Sequence, residues 1–395
     1  ALSLLGALPF VLSGAIPNYI DAFFETVSGF TTTGSSIIPA VEDMPKAMLM
    51  WRSFTHWVGG MGILVFVIAL MPKNTDRNIH ILRAEMPGPT VDKIVPKSKD
   101  TAKILYLMYI GLTALLIILL VCGEMNLFES IVHAFGTAGT GGFGIKGDGI
   151  GSYSAYSQWV IAVFMLLFGI NFNLYFLLLL GRLKAFFKNT ELLTYLGIVI
   201  GTTIIICFNI YPLYNNLEQT IRTSFFQVTS LATTTGYSTT DFTYWNSLSQ
   251  VLLLFLMFVG GSAGSTAGGF KVSRIVLIFK RIKYELKKLL KPRSVDVMSM
   301  DGKKIEEATA NSVMSYLGIY AVIFAIVLLL ISIDGFDFLT NFSATLACIN
   351  NIGPGLSMVG PMSNFSAYSP LSKVVLSLAM LIGRLEIYPI LLAFT

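Results

Sequence analysis

Four stretches of this chain pair glycine with hydroxyl or amide side chains in a way that suits stripping water from a cation. They are Thr31-Thr32-Thr33-Gly34-Ser35, Ala138-Gly139-Thr140-Gly141-Gly142-Phe143, Ala232-Thr233-Thr234-Thr235-Gly236-Tyr237 and Asn350-Asn351-Ile352-Gly353-Pro354. Glycine reaches backbone angles that turn carbonyl oxygens toward a common axis. Rings of such carbonyls replace the hydration shell of an ion. The candidate ion-coordinating residues are therefore Thr32, Thr33, Gly34, Gly141, Gly142, Phe143, Thr234, Thr235, Gly236, Asn351, Ile352 and Gly353. They would act mostly through backbone, with threonine hydroxyls in support. The marked glycines, Gly34, Gly142, Gly236 and Gly353, are 108, 94 and 117 residues apart. A recurring period of this kind is a sign of internal repetition. The first and third copies align by eye: each has a Phe-Phe pair (Phe23-Phe24, Phe225-Phe226) and a Thr-Thr-Thr-Gly run whose glycine falls ten residues after the second Phe.

The elements that must hold these turns are readable around them. Each turn follows a short segment: Asp21–Phe30, Glu129–Gly136, Gln219–Leu231 and Asn341–Cys348. At about 1.5 Å per helical residue, such segments are too short to cross a bilayer and must dip in and return. Their C-terminal ends carry partial negative charge that favours a cation nearby. Irregular backbone cannot face lipid, because each unpaired polar group costs several kcal/mol there; it persists only buried in protein or lining water. Around the turns run uncharged stretches: Ile104–Gly123, Gly149–Gly181, Leu192–Asn216, Phe242–Phe270, Ala308–Ile333 and Phe338–Ser372. Several exceed the roughly 20 apolar residues that a membrane span needs. The pattern of long helix, short helix, turn, long helix and basic loop occurs four times. It predicts an all-α membrane protein of four pseudo-repeated membrane helix–pore helix–membrane helix units around one central ion pore. The expected boundaries are 1–72 for the first unit, 73–103 for a cytoplasmic basic loop and 104–190 for the second unit. The third unit takes 191–291, a cytoplasmic linker 292–307 and the fourth unit 308–395. Both ends fall inside apolar runs, so the first and fourth units are expected to be truncated.

Composition agrees with a bilayer setting. Of 395 residues, 54% are hydrophobic and 12% charged, against about a quarter charged in soluble domains. The formal charge of +5 does not indicate nucleic-acid binding, because 21 of the 27 Lys and Arg residues sit in three segments, Lys73–Lys103, Arg182–Lys188 and Lys271–Lys304. Basic loops stay cytoplasmic. The other connections are acidic (Asp21, Glu25, Glu42, Asp43, Glu124, Glu129, Asp148, Glu218, Asp241, Asp334, Asp337) and are expected outside. There they would either enrich cations at an outer mouth or simply reflect topology. Cys122, Cys207 and Cys348 match no metal spacing and read as buried small residues. His56, His80 and His133 are too scattered for a metal cluster.

One span is interrupted. Gly260-Gly261-Ser262-Ala263-Gly264-Ser265-Thr266-Ala267-Gly268-Gly269 holds five glycines in ten residues, each weakening a helix by about 1 kcal/mol relative to Ala. A break is predicted below the turns, and a pliant plug there would gate a pore; close helix packing through glycine is the other reading. The gating candidates are Gly260, Gly261, Ser262, Gly264, Gly268 and Gly269, with Arg384 in the last apolar span. A charge within a span is costly and usually functional. Arg384 would bond carbonyls of the break, or else pair with Glu386 or reach the interface. Two enzyme-like patterns in the stretch fail on context. The nucleophile-elbow spacing Gly260–Gly264 lacks a soluble sheet, and the phosphate-loop spacing Gly264–Gly269 has Phe270 where Lys belongs. No polar catalytic cluster is visible.

Taken together, these motifs resemble the superfamily of Trk, Ktr and HKT potassium transporters over the whole chain, and most closely the bacterial Trk pore-forming subunits. The resemblance rests on Phe24–Gly34, Trp51-Arg52-Ser53 with Trp57–Gly62, Glu85-Met86-Pro87-Gly88-Pro89, Gly141-Gly142-Phe143, Gly260–Phe270 and Gly383-Arg384-Leu385-Glu386. It implies gated uptake of K+ at the bacterial cytoplasmic membrane, with one filter glycine per unit and a mobile intramembrane loop in the third unit touched by an arginine of the fourth. It implies no bound cofactor beyond K+ ions in the pore, a homodimer with a pore in each subunit, and a cytoplasmic ring of nucleotide-binding regulatory subunits docked on the basic loops. In plant relatives a serine at the first filter position accompanies sodium preference; glycine at all four positions here favours potassium. Family members usually carry additional N-terminal helices, and these are not in this sequence. The alternative reading is an ion-coupled secondary transporter, a K+/H+ or K+/Na+ symporter with discontinuous helices. It predicts carboxylates within the spans, of which Glu386 is the main candidate.

Overall fold

The computed structural model describes residues 2–62, 98–291, 297–385 and 387. Among these the chain is mostly helical; the β structure is one antiparallel pair, β1 (Ser299–Met300) with β2 (Lys303–Lys304). That small hairpin occupies part of the segment expected as the 292–307 linker. Most of the expected 73–103 basic loop, including Glu85–Pro89, lies outside the described residues, as does Glu386.

The first unit has two short helices, α1 (Leu2–Gly6) and α2 (Leu8–Leu12), then the pore helix α3 (Tyr19–Phe30) and the inner helix α4 (Lys46–Gly60). The second has α5 (Ser98–Cys122), pore helix α6 (Leu127–Gly139), α7 (Ala155–Phe168), α8 (Phe172–Leu179) and the short α9 (Leu183–Phe187). The third has α10 (Thr190–Tyr214), pore helix α11 (Leu217–Ala232), α12 (Ser247–Val259) and α13 (Val272–Leu290). The fourth has α14 (Glu307–Ile331), pore helix α15 (Phe338–Ile349) and α16 (Pro370–Arg384). Helices α5, α10 and α14 are long and apolar enough to cross a membrane.

Each pore helix starts at an Asx cap, whose side-chain oxygen satisfies an amide that the first turn leaves free. Asn18 accepts from Ile20 N, Asn126 from Glu129 N, Asn216 from Gln219 N and Asp337 from Thr340 N. The pore helices have 12, 13, 16 and 12 residues. Packing then closes a circle. The inner helix of each unit lies on the pore helix of the next: α4 on α6, α7 on α11, α12 on α15, and α16 back on α3. The buried apolar clusters fill these junctions, so no unit has a core of its own.

Two expectations are corrected. The second inner helix is not continuous: α7 and α8 meet at a bend of 90° across Gly169-Ile170-Asn171. Tertiary bonds hold this break. Gly169 O accepts from Ser262 N (3.0 Å), Gly264 O from Phe172 N (2.9 Å), and Asn171 caps α8 by accepting from Asn173 N. Among the cysteines, Cys348 is buried but Cys122 is exposed at the end of α5.

Candidate ion pore

The four turns share one backbone conformation. The residue two before each marked glycine is left-handed: Thr32, Thr140, Thr234 and Asn351 have φ of 54°, 53°, 56° and 55°. The glycines Gly34, Gly142, Gly236 and Gly353 follow at 84°, 75°, 84° and 101°. L-residues rarely hold such angles, and Cβ makes them costly. Their recurrence at four equivalent places means that the same carbonyl orientation is imposed four times.

The turns meet head to tail. A Cβ on Gly34 would lie 2.0 Å from the Gly141 carbonyl oxygen, and one on Gly142 2.0 Å from that of Thr235. One on Gly236 would lie 1.9 Å from Ile352 O, and one on Gly353 2.9 Å from Thr33 O. Each glycine thus abuts the residue that precedes the glycine of the next unit, and the fourth returns to the first. The carbonyls of Thr33, Gly141, Thr235 and Ile352 form one closed girdle from four segments.

Side chains behind the girdle keep it in place. Thr33 and Thr235 point backward, bonding Thr31 and Thr233 hydroxyl to hydroxyl at 2.8 Å in both copies. The Asn351 amide donates to Thr33 Oγ1 and to Met380 O, both at 2.9 Å. The hydroxyl of Ser35 donates to Gly353 O (3.0 Å), and that of Tyr237 to Phe143 O (3.2 Å). The Phe143 ring is packed away from the girdle, stacked on His56 with centroids 4.0 Å apart and lying 3.9 Å from the Arg52 guanidinium carbon. Its carbonyl accepts from the Tyr237 hydroxyl, so Phe143 braces the turn through both ring and backbone.

Outside the girdle lies a vestibule of about 130 Å³ whose walls include all four glycines, Tyr237, Pro354, Arg52 and Lys146. The expected acidic mouth is not what lines it: among the described residues no carboxylate is in its walls. Three carboxylates near it are bonded to other groups, two of them to wall residues. Glu25 is buried against Arg52 at 2.7 Å, Asp21 pairs with Lys373 at 2.6 Å, and Glu42 accepts from Gly147 N at 2.5 Å.

On the other side lies the glycine-rich segment 260–271, between the end of α12 and the start of α13. It presses against the inner end of the girdle: Gly268 N donates to Thr234 Oγ1 (2.6 Å), and Thr140 Oγ1 donates to Thr266 O (2.9 Å). Arg384 donates to the same Thr266 carbonyl (2.9 Å) and to Gly59 O and Gly60 O (2.7 and 2.9 Å) at the end of α4. Glu191, at the start of α10, accepts from Ala263 N (2.7 Å) and Ser273 N (3.2 Å), clamping both ends of the segment. Gly260, Gly264 and Gly269 have φ near 70–79°. Ser262 lends its amide to the α7–α8 break, and Gly261 O accepts from Val272 N (3.0 Å). The segment is therefore pinned to the second, third and fourth units, and through Arg384 it is tied to the first.

Reading the sequence missed three groups that matter here. Glu191 was hidden as one acid at a helix start. The Glu25–Arg52 pair joins residues that spacing alone does not connect. The Asx caps had a usable signal: they precede the marked glycines by 16, 16, 20 and 16 residues.

Comparison with known proteins adds identity to this geometry. A family model described as TrkH, cation transport protein, matches residues 1–395. The Trk system potassium uptake protein TrkH of Escherichia coli K12 is 38% identical over 399 residues, covering 99% of this chain and 82% of that protein. The Trk system potassium uptake protein TrkG of the same organism is 33% identical, covering 100% and 82%. The crystal structure of the potassium transporter TrkH from Vibrio parahaemolyticus superposes with a TM-score of 0.88 at 33% identity, covering 100% of this chain and 82% of that one. An all-α membrane chain with this match along its full length belongs to the TrkH family of cation transport proteins.

Proposed function

We propose that this chain takes up K+ across the bacterial inner membrane through a gated pore that its four turns make selective. The observation that carries the proposal is the closed girdle of Thr33, Gly141, Thr235 and Ile352 carbonyls, in which each filter glycine abuts the next turn. Carbonyl dipoles on four sides suit an ion that sheds its water. The names of the relatives, potassium uptake proteins and a potassium transporter, support the choice of ion. In this reading Thr32, Thr33, Gly34, Gly141, Gly142, Phe143, Thr234, Thr235, Gly236, Asn351, Ile352 and Gly353 form the filter. The 260–269 segment is the gate, held shut by Arg384, Glu191 and the hydroxyls of Thr140 and Thr234. A homodimer and a cytoplasmic nucleotide-binding ring complete the proposed assembly.

The coupled-transporter reading draws on the two broken helices, α7–α8 and α12–α13. Against it, the buried carboxylates Glu25 and Glu191 are both occupied, one by Arg52 and one by two backbone amides.

The deciding experiment is rubidium uptake into liposomes holding the purified protein, with sodium and choline controls. Downhill rubidium uptake that exceeds sodium and needs no proton gradient is expected. Uptake that appears only with a proton or sodium gradient would transfer the case to the symporter.

A further inference from the structure

The strongest polar construction outside the filter and the gate is a buried ion pair beside the vestibule. Arg52 and Glu25 are 2% and 1% exposed, with Nε to Oε1 at 2.7 Å. The other arms of the guanidinium reach different units. Nη2 donates to Ser36 Oγ (3.2 Å) and Nη1 to Gly144 O (3.2 Å). Ser36 and Gly144 are equivalent positions, each two residues past its filter glycine. Glu25 closes the network by accepting from Ser36 Oγ (3.0 Å) and Ile37 N (3.0 Å). The face of the guanidinium lies over the Phe143 ring, next to Gly142.

Stability alone does not explain such a pair. Removing two charges from water is expensive, and well-packed apolar residues would hold the fold as well. Nor is it repeated. The residue nine before each filter glycine is Glu25 in the first unit, and His133, Gln227 and Ala344 in the others. Among the described residues the ring nitrogens of His133 have no hydrogen-bond partner, and Gln227 makes only long bonds, at 3.4 and 3.5 Å. A planar five-donor fork is what joins two backbone segments at a set distance, which a point charge cannot do.

We propose that the Glu25–Arg52 pair is a positioning element for ion selectivity, a strut that sets the spacing between the first and second filter turns. This rests on the filter reading above. Arg52 gives the strut its reach, and Glu25 both orients the fork and cancels a positive charge in the vestibule wall. The two roles separate by substitution. R52K keeps the charge and loses the fork. E25Q keeps the shape and leaves the arginine charge uncancelled at the mouth.

The test is the rubidium-to-sodium flux ratio of the full chain in liposomes, for wild type, R52K, E25Q, R52Q, the double variant E25Q/R52Q and S36A, each checked for a monodisperse, folded population. R52K is expected to lower the ratio about tenfold, within the range for members of one hydrogen-bonded network. E25Q should lower the flux of both ions, and the double variant should recover flux without recovering the ratio. S36A, the mildest change, should lower the ratio by about twofold and stands in if R52K fails to fold. A wild-type ratio in the double variant, or in S36A where R52K is unfolded, overturns the strut. A wild-type protein that does not prefer rubidium overturns the filter reading instead, so the two failures are distinct.

Discussion

Two regions of this molecule are rich in glycine and look alike as sequence, yet they are held in opposite ways. The four turns are wedged on one another, with side chains bracing them from behind: each glycine lies against a backbone carbonyl of the next unit, and any Cβ would strike main chain. The 260–269 segment is held by hydrogen bonds, to the side chains of Glu191, Thr140, Thr234 and Arg384 and to the backbone of Gly169 and Phe172. Backbone wedged on backbone has no inexpensive way to yield. A segment pinned by a few hydrogen bonds, each about 1.5–3 kcal/mol when a charged group takes part, costs less to displace. Glycine allows close approach in both regions, since a Cβ on Gly268 would lie 2.7 Å from Asn350 O; in the proposed gate it would also permit release.

The sharpest way to break this contrast is a methyl group at Gly236. With φ of 84° and only 1.9 Å to Ile352 O, G236A forces the third and fourth turns apart. Strain of about 1–2 kcal/mol in the backbone alone should cut rubidium flux about tenfold or more. The same change at Gly197, where a Cβ meets nothing within 4 Å, should leave flux at wild-type level. Equal effects at both positions would end the idea of a wedged girdle. Next in size is R384A, which removes three bonds to carbonyls. Basal flux should rise about tenfold, since each such bond to a charged donor is worth roughly 1.5–3 kcal/mol. Unchanged or reduced flux in folded protein would mean that the segment is structural. E191Q keeps the shape of the clamp and weakens its acceptor, so a rise of about threefold is expected.

The smallest effect separates the fourth pore helix from the others. Its cap is a carboxylate, Asp337, whereas Asn18, Asn126 and Asn216 do not titrate. Hydrogen bonds from Thr340, from its hydroxyl first, hold the Asp337 carboxyl below its ordinary value of 3.8. A depressed carboxylate stabilises the fold above its unfolded value and loses that contribution as pH falls through the folded value. The protection factor of the Thr340 amide should therefore hold steady from neutral pH down to the ordinary carboxylate range and fall relative to the other caps below it. D337N should abolish that difference. A wild-type protein whose four caps respond alike would show that Asp337 carries no separate acid response.

Much of this was readable from one chain because its repeat is written in residues with few alternatives. Gly34, Gly142, Gly236 and Gly353 mark positions that only glycine occupies without strain, so their recurrence announced the turns. The break after Val259 was announced by five glycines in ten residues. The break at Gly169–Asn171 had no comparable local mark. It exists because Ser262, Phe172 and Gly264 exchange backbone bonds across two units, and no local pattern encodes a bond between residues that far apart. The acidic mouth failed for the same reason. Charge counting put Glu25 outside, but it could not see that Arg52 would take it into the protein.

The closed circle of inner helix on pore helix also bears on heredity. Where a pore is assembled from four copies of one subunit, every substitution appears on all four walls at once. Here a single codon alters a single wall. One quadrant can acquire a charge, a hydroxyl or a longer pore helix while three stay as they were. The unlike residues behind the four turns, Glu25, His133, Gln227 and Ala344, show how far the quadrants of such a wall differ while each stays complementary to its two neighbours.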